Sequence, residues 1–206
     1  VPITAALATF DAKVTQCDSL VANAHRIDAT GAPLFPIIEQ KLITVAAFLN
    51  LFVAWEEFVE EALTHYMCGA ATISGSAPTR YVMPVSIEAA KRITIGTNRY
   101  FDYANIENLR KLVLLYFDSG YPFEPHLSSI AGTLSDIRTM RNSSAHISST
   151  TQSALEALAQ RILGLPQPGI DLYTLLTQTH PASAPGTVFE FCRNTLQIAA
   201  QQIASG

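Results

Sequence analysis

Charge is scarce in this chain. Lys, Arg, Asp and Glu make up 15% of the 206 residues, low for a solvated monomer surface. That shortage fits surface buried against another subunit. The formal net charge of −4 excludes a global basic field of the kind that gathers nucleic acid. Cysteine is sparse as well: Cys17, Cys68 and Cys192 stand far apart and are odd in number. Their separation excludes zinc or redox spacing, and an odd count fits a reducing compartment. Each reads as a small buried apolar residue. His25, His65, His126, His146 and His180 are scattered, with no HExxH pattern, so no metal site is expected. The glycines are isolated, which leaves no phosphate-cradling loop, and no G-x-S-x-G elbow exists. No charged-then-apolar leader opens the chain. The longest apolar run, near Ile43–Trp55, is broken by Asn50 and followed at once by Glu56 and Glu57. It reads as a core helix rather than a membrane span. The expectations are no metal, no cofactor, no membrane and a cytoplasmic location.

What is abundant is apolar surface. At 49% apolar residues the chain has ample material for a core. Its periodicity is helical. Thr4–Ala24 spaces Ala, Leu, Phe and Val as an amphipathic helix, and TGAP at 30–33 breaks it. Phe48, Leu51, Phe52, Trp55, Val59, Ala62, Leu63 and Tyr66 then step by three and four, a core-facing stripe several turns long. CGAATISGSAP at 68–78 reads as a loop. SIEAAKRI at 86–93 reads as a helix capped by Ser86, and NIENLRKLVLLYF at 105–117 as one capped by Asn105. SGYPFEP at 119–125 is a turn-rich linker. Leu127, Ile130, Leu134, Ile137 and Met140 have the spacing of one further helix. A helix restarts over 148–163, where Ser153 and Glu156 have capping-box spacing. A short helical segment at 171–178 and a closing helix over TVFEFCRNTLQIAAQQIA complete the chain. The pattern predicts one all-α domain over 1–206, an antiparallel helical bundle with a less regular insert around 70–104.

The charges are unevenly placed. Residues 1–79 hold three Lys/Arg against eight Asp/Glu, residues 80–141 eight against six, and residues 142–206 two against three. Only the middle third is net basic, and it leads into TMRNSSAHIS at 139–148. On a helix, Asn142 and His146 share a face, with Arg138 one turn before Asn142. Arg141 precedes His146 by five residues, about 140° round an ideal helix. The long Arg side chain spans that angle if the helix ends near Ala145, as the following Ser/Thr cluster favours. His moves protons near neutral pH. Arg offers a fixed charge and a planar fork matched to phosphate oxygens. Together they suit phosphodiester cleavage by an internal 2′-hydroxyl, with Arg stabilising the charge that builds on phosphorus. The same spacing also occurs at an ordinary solvated helix end. Glu56 and Glu57 read as a solvated face by the same token, and His65 and His126 as surface or interface residues. Arg99, Tyr100 and Tyr103 have the chemistry to stack on bases, or else to pack.

RNSSAH at 141–146 resembles the Arg-x-x-x-x-His signature of the HEPN superfamily, in the form with Asn directly after Arg. AAFLNLFVAWEEFVEEAL at 46–63 resembles the long central helix of the HEPN branch labelled RiboL-PSP, with its aromatic–Glu–x–Phe core. The order of the two features is also that family's. The resemblance covers roughly residues 40–70 and 105–163, and no motif covers the 70–104 insert or the tail after 164.

The resemblance implies an all-α bundle that pairs as a homodimer, its two Arg/His motifs facing each other across a cleft. It further implies a metal-independent endoribonuclease that leaves 2′,3′-cyclic phosphate ends. The implied setting is that of a toxin or phage-defence effector, with a cognate antitoxin or defence partner. Carried over, Arg141 is the phosphate-binding residue, His146 the acid/base and Asn142 the polar helper. Glu56 is the supporting carboxylate on the central helix, with Glu57 the alternative. RNA contacts fall to Arg138, Arg110 and Lys111 beside Arg141, doubled by dimer symmetry. The alternative within the family is a catalytically silent module that binds RNA, a nucleotide or a protein partner.

Overall fold

The computed structural model describes residues 2–145 and 148–206. Among them are nine α-helices and no strand: α1 (Ile3–Ala24), α2 (Ile37–Met67), α3 (Ile87–Ile95), α4 (Ile106–Tyr116), α5 (Glu124–Ser129), α6 (Ala131–Ala145), α7 (Ser149–Leu163), α8 (Leu172–Thr177) and α9 (Val188–Ser205). The all-α expectation holds. Short 3₁₀ turns at Asp118–Gly120 and Pro181–Ser183 and isolated bridges such as Arg80 with Phe117 are the remaining regular features.

The fold divides into two compact units. The first comprises Val1–Asp11, Ala54–Ser135 and Thr195–Gly206. Its core is an aromatic cluster in which Phe10 meets Trp55 edge-on at 6.4 Å and Phe58 at 5.5 Å, ring centre to ring centre. A second cluster sets Tyr66 edge-on to Phe123 at 5.7 Å, with Phe117 at 5.9 Å from Phe123. All these rings are buried, and edge-on packing matches the quadrupoles of the rings. The Tyr66 hydroxyl is satisfied in the core by donating to the carbonyl of Ile203 at 2.9 Å. Two further end carbonyls of α9, those of Ala204 and Ser205, accept from the N–H groups of Ile73 and Ser74. The end of α2 is closed differently. Gly69 takes φ +93°, and the Arg80 guanidinium lies against it and donates to the Met67 carbonyl at 2.9 Å.

The second unit comprises Ala12–Val53 and Asp136–Asn194. Val14, Cys17, Phe48, Leu51 and Phe52 are buried in it, with Ile137, Met140, Leu155, Leu158, Leu175 and Cys192. The turn after α1 is held by Asp28, whose carboxylate accepts from the Thr30 N–H at 2.8 Å, the Thr30 hydroxyl at 2.6 Å and the Ala32 N–H at 3.0 Å. Those hydrogen bonds, the Thr30 hydroxyl's first, hold its carboxyl below the usual range. Arg161 on α7 pairs with Asp136 on α6, and Lys41 on α2 reaches Asp171 at 2.6 Å.

Every member of the predicted α2 stripe is buried, and Phe58 and Ala54 widen the buried face beyond it. The helix starts at Ile37, well before the stripe, because its first turns expose Ile37, Ile38 and Leu42 and so lack an apolar period to read. By length and composition alone α2 is able to cross a membrane. Half of its most apolar window is buried inside the protein.

Ser86 and Asn105 cap α3 and α4 as predicted, accepting from Ala89 and Asn108 at 3.1 and 3.2 Å. Two details differ from expectation. The helix predicted over 127–140 is two helices, broken at Ile130 (ψ 10°), where the Ser129 hydroxyl donates to the His126 carbonyl. The capping box of α7 is Ser148 with Thr151, not Ser153 with Glu156. Glu156 instead accepts from Gln152 at 3.0 Å and from the Gly169 N–H at 2.8 Å, which holds the turn beyond α7. Ser148→Ala is therefore expected to cost about 1 kcal/mol in denaturant unfolding. Ser153→Ala should stay within about 0.5 kcal/mol. The reverse order would restore the sequence-based box.

Candidate functional site

Helix α6 turns its apolar period inward: Leu134, Ile137 and Met140 are buried. The positions between them come outward at three- and four-residue steps, which puts Arg138, Arg141 and Asn142 on one stripe. Arg138 and Asn142 are half-buried and Arg141 is exposed. Arg141 and Asn142 are brought together, with Nη1 of the guanidinium donating to the Asn142 side-chain oxygen at 3.1 Å. This bond occupies the amide oxygen and leaves the amide NH₂ and the rest of the guanidinium fork as donors for an anion. One residue on, the Ser143 hydroxyl donates to the Met140 carbonyl at 2.7 Å. The described part of α6 runs to Ala145, and Ser148 caps α7. His146, the expected acid/base, lies outside the described residues.

The other expected site residues fall in the first unit. Glu56 is half-buried and Glu57 exposed, both on α2, one turn before Glu60, which binds Lys91 at 2.6 Å. Arg110 is engaged in a bidentate pair with Glu124, its Nε 3.1 Å from each carboxylate oxygen and Nη2 2.5 Å from one. Its charge is largely neutralised there. Lys111 is exposed. Tyr103 is buried and packs edge-on to Phe101 at 4.9 Å, so it is a packing residue and not a stacking surface. His65 and His126 are half-buried rather than exposed, and burial lowers the basicity of both. Among the described residues no group of three or more His, Cys, Asp or Glu converges on a point.

Two cavities escaped the sequence reading. The first, about 650 Å³, lies in the first unit between residues 98–102 and α4. Its signal was a second three-and-four stripe on α4 that the buried stripe overshadowed. The second, about 440 Å³, lies in the second unit between the end of α1 and the start of α9, where Asp18 faces Arg193 at 3.3 Å beside His25 and Thr44. The Arg193 Nε is buried there without an aligned hydrogen bond, so this contact is electrostatic rather than a formed hydrogen bond. Burial raises the Asp18 carboxyl above its usual range. Nothing in the spacing of these residues marks them, because the turns between the helices bring them together.

In comparisons with protein-family models, with characterised proteins and with solved structures, nothing matches this chain.

Histidine chemistry in the second unit has a measurable consequence. The His180 ring stacks on Phe191 at 3.7 Å, and its Nδ1 accepts from the Ala182 N–H at 3.1 Å. Only the neutral ring makes that bond, and burial lowers its basicity from the ordinary 6.5, against the opposing pull of Asp136. The unfolded chain then binds more protons than the folded one as pH falls through about 6.5, so acidification removes stability. The thermal midpoint should fall between pH 7.5 and 5.5. It should fall less steeply in His180→Asn, which keeps a capping oxygen without titrating. An unchanged slope would assign the pH dependence to other groups.

Proposed function

We propose that the chain is a metal-independent endoribonuclease of the HEPN type, working as a homodimer. The observation that carries the reading is the RN-x-x-x-H sequence at 141–146, whose Arg141 and Asn142 lie near the end of the described part of α6. There Arg141 is exposed and bonded to the Asn142 side chain, and a buried apolar period lies beneath it. In this reading His146 takes the proton of the 2′-hydroxyl. The O2′–P bond forms, the P–O5′ bond breaks and the departing 5′-oxygen receives a proton from the acid form of a histidine. Arg141 stabilises the charge on the non-bridging oxygens as it grows. Asn142 holds the guanidinium in place, while Glu56, or Glu57, which the resemblance makes the supporting carboxylate, belongs to the first unit. In the second unit the RNA is met by Arg138 and Arg141, and the resemblance adds Lys111, and Arg110 when it leaves Glu124, in the first. A toxin or phage-defence role, with a neutralising or defence partner, follows from the same resemblance.

The silent-module reading has one observation of its own. Arg110 already has a carboxylate partner, and the chain is net acidic, so few cations remain to hold a long RNA.

RNA cleavage in excess chelator separates the two. The natural chain should yield cyclic-phosphate ends, and His146→Ala and Arg141→Ala, folded as judged by thermal melting, should each lose at least about a hundredfold in rate. Equal cleavage by both variants would remove the proposed site. No cleavage of a mixed tRNA and mRNA pool, together with intact binding, would favour the silent module.

A further inference from the structure

Helix α4 carries two stripes with opposite fates. Leu109, Val113 and Tyr116 are buried. Asn108, Lys111, Leu112 and Leu115 follow the same three- and four-residue steps on another face, and Leu115 is 65% exposed. The preceding segment runs beside this face without sealing it. Gly96, at φ +60°, ends α3, and Asn105 starts α4. Between them the segment is anchored at its far end. Tyr103 is buried with Phe101 packed against it, and the Asp102 carboxylate accepts from the Ala104 N–H at 3.1 Å. The part that remains is Asn98, Arg99 and Tyr100, which with the open stripe of α4 lines the cavity of about 650 Å³. Tyr100 is 72% exposed. Neither Arg99 nor Lys111 has a side-chain hydrogen bond or ion pair among the described residues.

These features share one chemistry. An exposed phenol ring beside two leucines offers a flat apolar bed. Two unpaired cations outnumber the one carboxylate, whose oxygen is already in use. Two side-chain amides supply donors and acceptors at the rim. The volume suits a ligand larger than a bare anion. The geometry points to a nucleotide pocket between Asn98–Tyr100 and α4, in which Tyr100 and Leu115 hold a base, Arg99 and Lys111 hold its phosphate, and Asn98 and Asn108 meet the base edge. The ligand is a base joined to a phosphorylated ribose, whether a free mononucleotide or one unit of single-stranded RNA. In the second case the pocket is a substrate subsite and rests on the endoribonuclease reading; in the first it stands alone.

The test is calorimetric titration of the full chain with each ribonucleoside 5′-monophosphate, with ribose 5-phosphate and with a 2′-O-methyl RNA tetramer. None of these is cut through a 2′-hydroxyl, so the outcome is independent of cleavage. Saturable binding should weaken roughly tenfold in Tyr100→Ala, from loss of stacking. It should weaken again in Arg99→Ala with Lys111→Ala, which should also flatten the salt dependence. All three residues are exposed, so the variants should melt as the natural chain does. Binding of a mononucleotide with this pattern establishes a free-nucleotide site. Binding of the tetramer alone with this pattern establishes an RNA subsite. No binding of either, ribose 5-phosphate binding as tightly as the nucleotides, or indifference to Tyr100→Ala would overturn the proposal.

Discussion

Burial of the aromatic and aliphatic stripe along α2 is the constraint on which the rest of the molecule depends. Phe48, Leu51 and Phe52 supply the core of one unit, and Trp55, Phe58, Val59, Leu63 and Tyr66 supply the core of the other. A helix buried on so wide a face needs partners around much of its circumference, and short helices meet that need more easily than strands. The flanking helices are accordingly amphipathic, and their apolar periods are the parts of them that are buried. Two buried threonine hydroxyls are satisfied within their own helices. Thr64 on α2 donates to the carbonyls of Glu60 and Glu61, and Thr94 on α3 donates to that of Ala90.

The same economy of charge governs the surface. With so few ionised groups, several serve as ties between elements: Arg161 with Asp136, Lys91 with Glu60, Lys41 with Asp171 and Arg110 with Glu124. Exposed pairs of this kind contribute little to stability, but they remove cations from the pool that an anionic ligand can use. Among the described residues, donors remain on α6, where Arg141 is bonded to the neutral amide of Asn142, and in the cavity beside α4. The proposed RNA chemistry and the proposed nucleotide pocket both draw on what this leaves over.

The legible parts of the fold were those set by local periodicity and local hydrogen bonding. The α2 stripe and the caps at Ser86 and Asn105 follow from residues a few positions apart. Where the deciding contact is non-local, sequence spacing misleads. Glu156 has the spacing to close a capping box, yet Gly169, across a turn, takes its carboxylate. Ile130 keeps the apolar period through a break that a serine hydroxyl makes. The site divides in the same way. Arg141 and Asn142 are neighbours in sequence, and their bond was foreseeable. Arg110 reads from sequence as an RNA-binding cation because Glu124 lies beyond a turn, and Tyr103 is left between stacking and packing because its burial depends on the surrounding fold.

The closure at the end of α2 bears on how this sequence can drift. The Arg80 guanidinium occupies the space a Cβ on residue 69 would need, its Cζ only 2.7 Å from that point, while the left-handed backbone there already disfavours any side chain. Glycine at 69 is therefore demanded by the backbone itself, and the arginine at 80 adds to that demand. A lineage that loses the arginine frees the space but leaves the Met67 carbonyl without its donor. A lineage that loses the glycine displaces the arginine. Glycine at 69 should therefore outlast the arginine, because the left-handed turn that ends the central helix keeps its demand whether or not Arg80 is there.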